Sequence, residues 1–420
     1  MATNLTDLLR SREPGKSLPQ EFYLDGGLFK AELRRIFHTN WLFAGHSCEI
    51  PEPGDYFVLP VGEEELIILR DKQGGVRGHF NVCRHRGSRI ATERRGRSRS
   101  LVCPYHQWVY SLDGCLANAR LMGDDFDANE YSLRSAHVRE LAGLVFVCLS
   151  PDEATPDFDS FFEDIEPQLR PHGLDRAKIV ARDSYEVRAN WKTVVENNRE
   201  CYHCRVSHPE FCMSNYDLGL PGDLRGDEGY DATLEREYER WRTIGLSPEE
   251  ASFPDGAPFR VSRLPLKEGF LTESLDGRLV APLMGDLIDP RTGSLRIITL
   301  PNFWAHANCD YAMTTRLLPL ASDLTAVEVC FLVREDAAEG VDYDPERVGA
   351  VWRATCEQDW ELCENNYAGI RSVAYEPGPL SEITESSVET FERWYLDRLA
   401  EGEAAQSSHT RSRREPSARG

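Results

Sequence analysis

The sequence predicts an α+β chain in which a small all-β domain is followed by a larger domain mixing helices and strands. Three observations predict it. Short runs rich in β-branched and aromatic residues, bounded by Gly and Pro, recur from Trp41 to about residue 150. Amphipathic stretches of helical period dominate after about residue 160. Between them lies a Pro- and Asp-rich segment, 151–159, that reads as a linker. With 420 residues, 41% of them hydrophobic, the chain can fill two or three cores.

The elements follow in order. Residues 1–40 form a helical segment, amphipathic over 28–37 after a loop around Pro14 and Pro19. Residues 41–150 form the β domain, with apolar runs at 56–60, 66–69, 101–103, 108–110 and 144–149. Turn signals Pro53-Gly54, Gly74-Gly75 and Asp113-Gly114 separate them. Residues 151–400 form the mixed domain. It holds a helix near 190–204, a polar insertion over 222–258, strands near 297–300 and 327–333, and a helix over 345–367. Gly378-Pro379 breaks the chain before a last helix, 387–399. The tail, 401–420, has no large apolar residue and is expected to be unstructured.

A formal net charge of −22 argues against a nucleic-acid partner. No apolar run approaches the ~20 residues that span a bilayer, and the N-terminus lacks the apolar core of a signal peptide. The expected compartment is the cytoplasm, with no membrane association. There, twelve cysteines read as buried thiols and metal ligands, not as disulfides. Cys201 and Cys204 form a Cys-x-x-Cys that straddles a metal-ligand candidate and reads as structural.

Inside the β domain stand Cys83-Arg84-His85 and Cys103-Pro104-Tyr105-His106. Each pair puts a thiol and an imidazole on one tight loop. A Rieske [2Fe–2S] centre needs two thiolates on one iron and two histidines on the other. A zinc site has the same ligand count, but zinc fingers favour Cys-Cys and His-His pairing. Trp108 and Tyr110 read as local core or cluster shielding. The basic run between the loops, 94–99, reads as a solvated hairpin tip, with a docking patch for an acidic electron donor as the alternative.

The mixed domain carries Glu196-Asn197-Asn198-Arg199-Glu200-Cys201-Tyr202-His203-Cys204 and then His208-Pro209. Trp191, Val194 and Val195 read as the buried face of a helix that Pro209 ends by His208. Glu200 and His203, at i and i+3, are expected on one helical face. Two imidazoles completed by a distant carboxylate make a facial site suited to non-haem Fe(II). Glu357, Asp359, Glu361 and Glu364 on the later helix are the candidates for that carboxylate, and spacing alone leaves the choice open.

Cys-x-His with Cys-x-x-His, followed by Asn-x-x-Glu-x-x-His-x4-His, resembles the signature pair of Rieske non-haem iron oxygenase α-subunits. The resemblance runs from about Pro19 to Leu399. It implies a Rieske β-sandwich domain and a helix-grip catalytic domain whose antiparallel sheet wraps helices. It implies that Cys83, His85, Cys103 and His106 ligate the cluster, and that His203, His208 and Asp359 ligate a mononuclear iron. Glu200 falls where the family places the carboxylate that bridges the cluster of one subunit to the iron of its neighbour, so a homotrimer is implied. Gln107 stands where ring-hydroxylating relatives carry a small residue. With the 196–204, 340–347 and 374–379 segments, it resembles the branch acting on betaine-type quaternary ammonium compounds. That branch implies O2-dependent N-demethylation, with electrons from a separate flavin/[2Fe–2S] reductase using NAD(P)H. The chain itself carries no Gly-x-Gly-x-x-Gly fingerprint. Aromatic-ring hydroxylation or O-demethylation is the alternative. In 300–306, Phe303, Trp304 and His306 are the candidate substrate residues, with Trp304 in an ammonium cage and His306 orienting a substrate carboxylate.

Overall fold

The computed structural model describes residues 5–151, 155–216 and 222–412. The N-terminal helices α1 (Leu5–Ser11), α2 (Glu21–Leu24) and α3 (Gly26–Glu32) lead, through one π-helical turn, Leu33–Phe37, into the β domain. Its main sheet holds β1 (Leu42–His46), β2 (Asp55–Val61), β3 (Glu64–Arg70), β4 (Val76–Phe80), β5 (Arg95–Arg97), β9 (Ser135–Leu141) and β10 (Leu144–Cys148). They lie in the order β1-β10-β9-β4-β3-β2-β5. A small second sheet, β6 (Leu101–Val102), β7 (Val109–Tyr110) and β8 (Leu116–Asn118), stands apart. The expected strands at 56–60, 66–69 and 144–149 are therefore present. The basic run is an edge strand, with Arg95 bonded to Glu49 and Arg97 to Asp55. Those two arginines are already paired within the chain, which weakens the docking-patch alternative.

The second domain opens with α4 (Asp159–Leu169) and β11 (Ala177–Val187). After them come α5 (Trp191–Asn198), α6 (Cys204–Ser207), α7 (Phe211–Ser214) and α8 (Glu228–Thr243). The remaining strands are β12 (Ala251–Ser252), β13 (Phe259–Leu264), β14 (Ser294–Thr299), β15 (Phe303–Ala307), β16 (Ala312–Ala321) and β17 (Leu324–Arg334), followed by α9 (Pro345–Ile370) and α10 (Ser386–Ser412). The seven strands form one antiparallel sheet, β11-β17-β16-β15-β14-β13-β12. The polar insertion is not a featureless loop: α8 runs through it because Tyr230, Leu234 and Trp241 give it one buried stripe. The final helix continues past Leu399, through residues rich in Glu, Ala and Gln, which are strong helix formers. Of the expected unstructured tail, 413–420 lie outside the described residues. Among the described residues no helix is long and apolar enough to cross a membrane.

Strand alternation gives the large sheet two faces. Phe259, Val261, Leu295, Ile297, Phe303 and Ala305 join Trp41, Phe43, Phe146 and α4 in one core. Phe43 and Phe303 rings lie 4.4 Å apart. Asn302 donates to Phe43 O at 3.1 Å and accepts from its N–H at 2.9 Å, extending β-type pairing between the domains. The other face, with Trp304 and Met313, packs against α5, α9 and α10 in a second core that also takes in Phe57, Leu59, Leu66 and Ile68 of the β domain. The cores thus cross the boundary at 150/151.

Candidate active site

Two loops of the β domain share one hydrogen-bond pattern. Gly87 N–H donates to Cys83 O at 2.9 Å and Gln107 N–H to Cys103 O at 3.1 Å. Cys83 N–H donates to Ser88 O and Cys103 N–H to Trp108 O, both at 2.9 Å. The fourth residue after each cysteine must turn left-handed, at φ 77° for Gly87 and 62° for Gln107. Only Gly adopts this at no cost, so Gln107 holds its turn against a conformational penalty. The pattern aims both cysteines inward, 2% and 1% exposed, and leaves His85 and His106 at the surface.

The two imidazoles stand 4.6 Å apart between centroids. His85 stacks on Trp108 at 4.8 Å and 8°. Tyr110 Oη lies 3.2 Å from Cys83 Sγ and accepts the Arg84 N–H at 3.0 Å. Two buried neighbouring thiols with two outward imidazoles fit a [2Fe–2S] cluster with mixed ligation, and Tyr110 provides the hydrogen bond to sulfur that tunes such a centre.

The second site forms where α5 stops. Asn190 caps that helix by accepting Lys192 N–H at 3.0 Å, and Trp191 is anchored through Nε1 to Glu32 at 2.8 Å. The helix ends at Asn198, not near 204, because Glu200 turns back to accept the Tyr202 N–H and competes with the helical ladder. Glu200 and His203 therefore meet across a loop, not on one helical face: His203 Nδ1 donates to Glu200 Oε1 at 2.5 Å. After the single turn of α6, His208 Nδ1 donates to Gln358 Oε1 at 2.8 Å, and Gln358 Nε2 donates to Glu210 Oε2 at 3.0 Å.

With both Nδ1 atoms committed, both Nε2 atoms converge on Asp359. They lie 3.2 Å (His203) and 2.9 Å (His208) from its Oδ1. His208 Nε2 is buried and has no well-aligned hydrogen bond among the described residues. Although burial disfavours charge, Asp359 and Glu200 push His203 up to about 10. The site is thus arranged around a positive charge. With a metal ion taking the place of the proton that carries this charge, two imidazoles held from behind by a carboxylate and an amide, plus one carboxylate, fit a 2-His-1-carboxylate iron. The other acids on α9 drop out: Glu357 and Glu361 face solvent, and Glu364 pairs with Arg188. Cys204 lies within 4.8 Å of both histidines, a neighbour that the sequence reading treated as structural only.

A cavity of about 210 Å³ adjoins this loop, bounded by Arg199, Glu200, Cys201, Trp304 and His306. Phe303 is not part of it. One residue away along the strand, it points to the opposite face and is fully buried against Phe43. His306 Nδ1 faces Glu273 Oε1 at 3.0 Å, and its ring lies 4.4 Å from that of Trp352. Trp352 and Phe211 were missed by the sequence reading. Phe211 stands three residues after His208, which was the available signal.

Residues 40–131 match the Rieske [2Fe-2S] domain, and residues 174–401 match the ring hydroxylating alpha subunit catalytic domain. The chain belongs to the Rieske ring-hydroxylating oxygenase α-subunit family. As such it is an oxidoreductase with a Rieske cluster and a mononuclear iron. It is 42% identical over 395 residues to a glycine betaine monooxygenase oxygenase subunit of Chromohalobacter salexigens, covering 94% of this chain and 88% of that one. A subunit of the same description from Pseudomonas aeruginosa is 40% identical over 407 residues, covering 96% and 94%. Among solved structures, a quaternary ammonium Rieske monooxygenase superposes with a TM-score of 0.70 at 21% identity, covering 93% of this chain and 98% of that one. At that identity the likeness establishes the oxygenase fold alone.

Proposed function

We propose that this oxygenase N-demethylates a small betaine-type quaternary ammonium compound as the terminal component of a multi-component system. The observation that carries the reading is the cavity: Trp304 borders it, and it adjoins the loop that holds the iron ligands. A quaternary ammonium donates no hydrogen bond, so an aromatic face is the chemistry that holds it. The identity to glycine betaine monooxygenase subunits over most of the chain supports the same substrate class. Bound Fe(II) would supply oxygen activation at His203, His208 and Asp359. The balance is one O2, two electrons and two protons for each N–CH3 converted to N–CH2OH and water. The C–N bond then breaks, giving formaldehyde and the demethylated amine. NAD(P)H supplies the electrons through a separate flavin/[2Fe–2S] reductase, which places the system in the cytoplasm.

Glu200 is assigned the electron bridge. Its carboxylate holds the Nδ1 side of an iron ligand and borders cavities on both sides of the loop. Exposed apolar side chains flank both centres: Val82, Val102 and Tyr105 at the cluster, Tyr202 and Val206 at the iron loop. Head-to-tail docking of these two patches closes a homotrimer. In Glu200→Gln both metals and the trimer are expected to persist while turnover collapses; full steady-state activity would exclude the bridge.

The substrate class is tested by formaldehyde release from glycine betaine and proline betaine, with a neutral tert-butyl isostere as competitor. A desolvated cation–π face contributes roughly 2 kcal/mol, so the isostere should compete roughly 30-fold less well. Trp304→Leu should raise the KM for the betaine with cluster and iron contents intact. Equal competition by the isostere would mean that positive charge is not read, and would favour aromatic substrates.

A further inference from the structure

Three arginines stand on the wall of the same cavity, and their partners leave positive charge unanswered. Arg260 of β13 and Arg296 of β14 share a sheet face with Trp304 and His306, since Arg260 and Trp304 both pair with Ile298, and Arg296 pairs with His306. Arg199 comes from the loop after α5 and is only 5% exposed. Its Nη1 donates to Asn198 Oδ1 at 2.8 Å, while Nε and Nη2 are buried without a partner among the described residues. Arg296 Nη2 donates to Asn215 Oδ1 at 2.6 Å, its guanidinium lies 5.7 Å from the Phe211 ring centroid, and its Nε has no partner among the described residues. Arg260 Nη2 reaches Glu250 Oε1 at 3.2 Å, but Glu250 also serves Arg225, and Arg260 Nε has no partner among the described residues.

Among the described residues, the other carboxylates beside this cavity are taken. Glu200 is bound to His203 and the Tyr202 N–H, and Glu273 to His306 and Asn308. Burial, reinforced by Arg260, pushes the Arg199 guanidinium down to about 9, so it is still cationic at neutral pH. Buried cations without counter-charge are costly, and an arginine fork matches a carboxylate in geometry as well as charge.

We propose that Arg199, Arg260 and Arg296 bind the carboxylate of the substrate, so that the cavity reads both charges of a zwitterion. The cationic head lies against Trp304, and the anionic end against the guanidiniums. This role differs from the one expected of His306: its Nδ1 donates to Glu273, and burial favours the neutral ring, whose Nε2 then has no hydrogen to offer a substrate carboxylate. The proposal rests on the quaternary-amine reading for the identity of the cationic head, but the anion site can be scored separately.

The experiment is calorimetric binding to the holoenzyme of glycine betaine and of its carboxamide, which keeps the ammonium and removes the negative charge. The unmutated protein should prefer the carboxylate by about 100-fold, as for one or two charge-assisted hydrogen bonds. Arg296→Gln should erase most of that preference and leave carboxamide affinity unchanged; Arg296→Lys should restore part of it. Melting curves and the cluster spectrum identify a variant that has merely misfolded, in which case Arg260→Lys and Arg260→Gln give the same comparison. Equal affinity for the two ligands in the unmutated protein, or equal loss of both in the glutamine variants, would overturn the proposal. If neither quaternary compound binds, the substrate reading fails, and benzoate against benzamide still scores the arginines.

Discussion

The two metal centres are built by opposite means. The cluster loops lie within 24 residues of sequence, and each is closed by its own backbone hydrogen bonds and one left-handed residue. The candidate iron ligands His208 and Asp359 lie 151 residues apart, and the packing of α5 and α7 against α9 brings them together. A local site depends on its loop; a distant one depends on everything beneath it.

The largest test of this contrast is to remove one ligand from each. Cys83→Ser should abolish the Rieske spectrum. His208→Ala should abolish iron binding and turnover while the spectrum remains, and loss of the spectrum in that variant would show that the sites are not independent.

The next test relieves a buried charge in the scaffold beneath the iron. Glu392 of α10 faces Arg12, Glu389, Glu385 and the half-buried Glu196, and burial pushes it up to about 7 from 4.5. The folded chain therefore keeps it neutral where the unfolded chain ionises it. Its contribution to stability is complete below about pH 4.5 and declines as pH rises to 7. Glu392→Gln should gain in melting temperature over the parent between pH 5 and pH 8, by no more than about 3 kcal/mol in stability. A pH-independent difference would refute this.

Smaller effects should follow from the groups behind the ligands. Gln358→Leu leaves His208 Nδ1 without its acceptor and should weaken iron affinity by roughly 10–100-fold, read by chelator competition, without moving the cluster spectrum. The smallest is local to the cluster: Gln107→Gly removes a left-handed non-glycine residue and should stabilise that loop by about 1 kcal/mol, whereas Gly87→Ala should cost about as much. Equal melting temperatures in all three proteins would remove the conformational argument for these loops.

The same contrast decides what was legible in the sequence. The four candidate cluster ligands stand out in the sequence because spacing within a tight loop is the geometry. The two candidate iron histidines stand out by their separation, but the path leading into them does not: Glu200's side chain ends α5 early, and no glycine or proline marks the break. Among four acids on α9, spacing could not choose Asp359, because the choice depends on which side of the helix meets a loop far back in the chain. Phe303 and Trp304 failed to separate for a related reason. Neighbouring aromatics in a strand look alike until the sheet's faces are known. The arginine wall was missed because Arg260 and Arg296 meet only through strand register, and Arg199 joins them from a loop far back in the chain.

That alternation in β15 has a consequence for dissecting the enzyme. Phe303 is wedged into the β domain while Trp304 borders the substrate cavity, so one strand serves both halves of the molecule. An excised β domain would carry away Phe43 and leave Phe303 exposed, and a chimaera joined at residue 150 would be cut through a core and not through a tether. Exchange of electron-carrying modules between relatives of this chain therefore requires transplanting the aromatic seam around Phe43, Phe146 and Phe303 as one block.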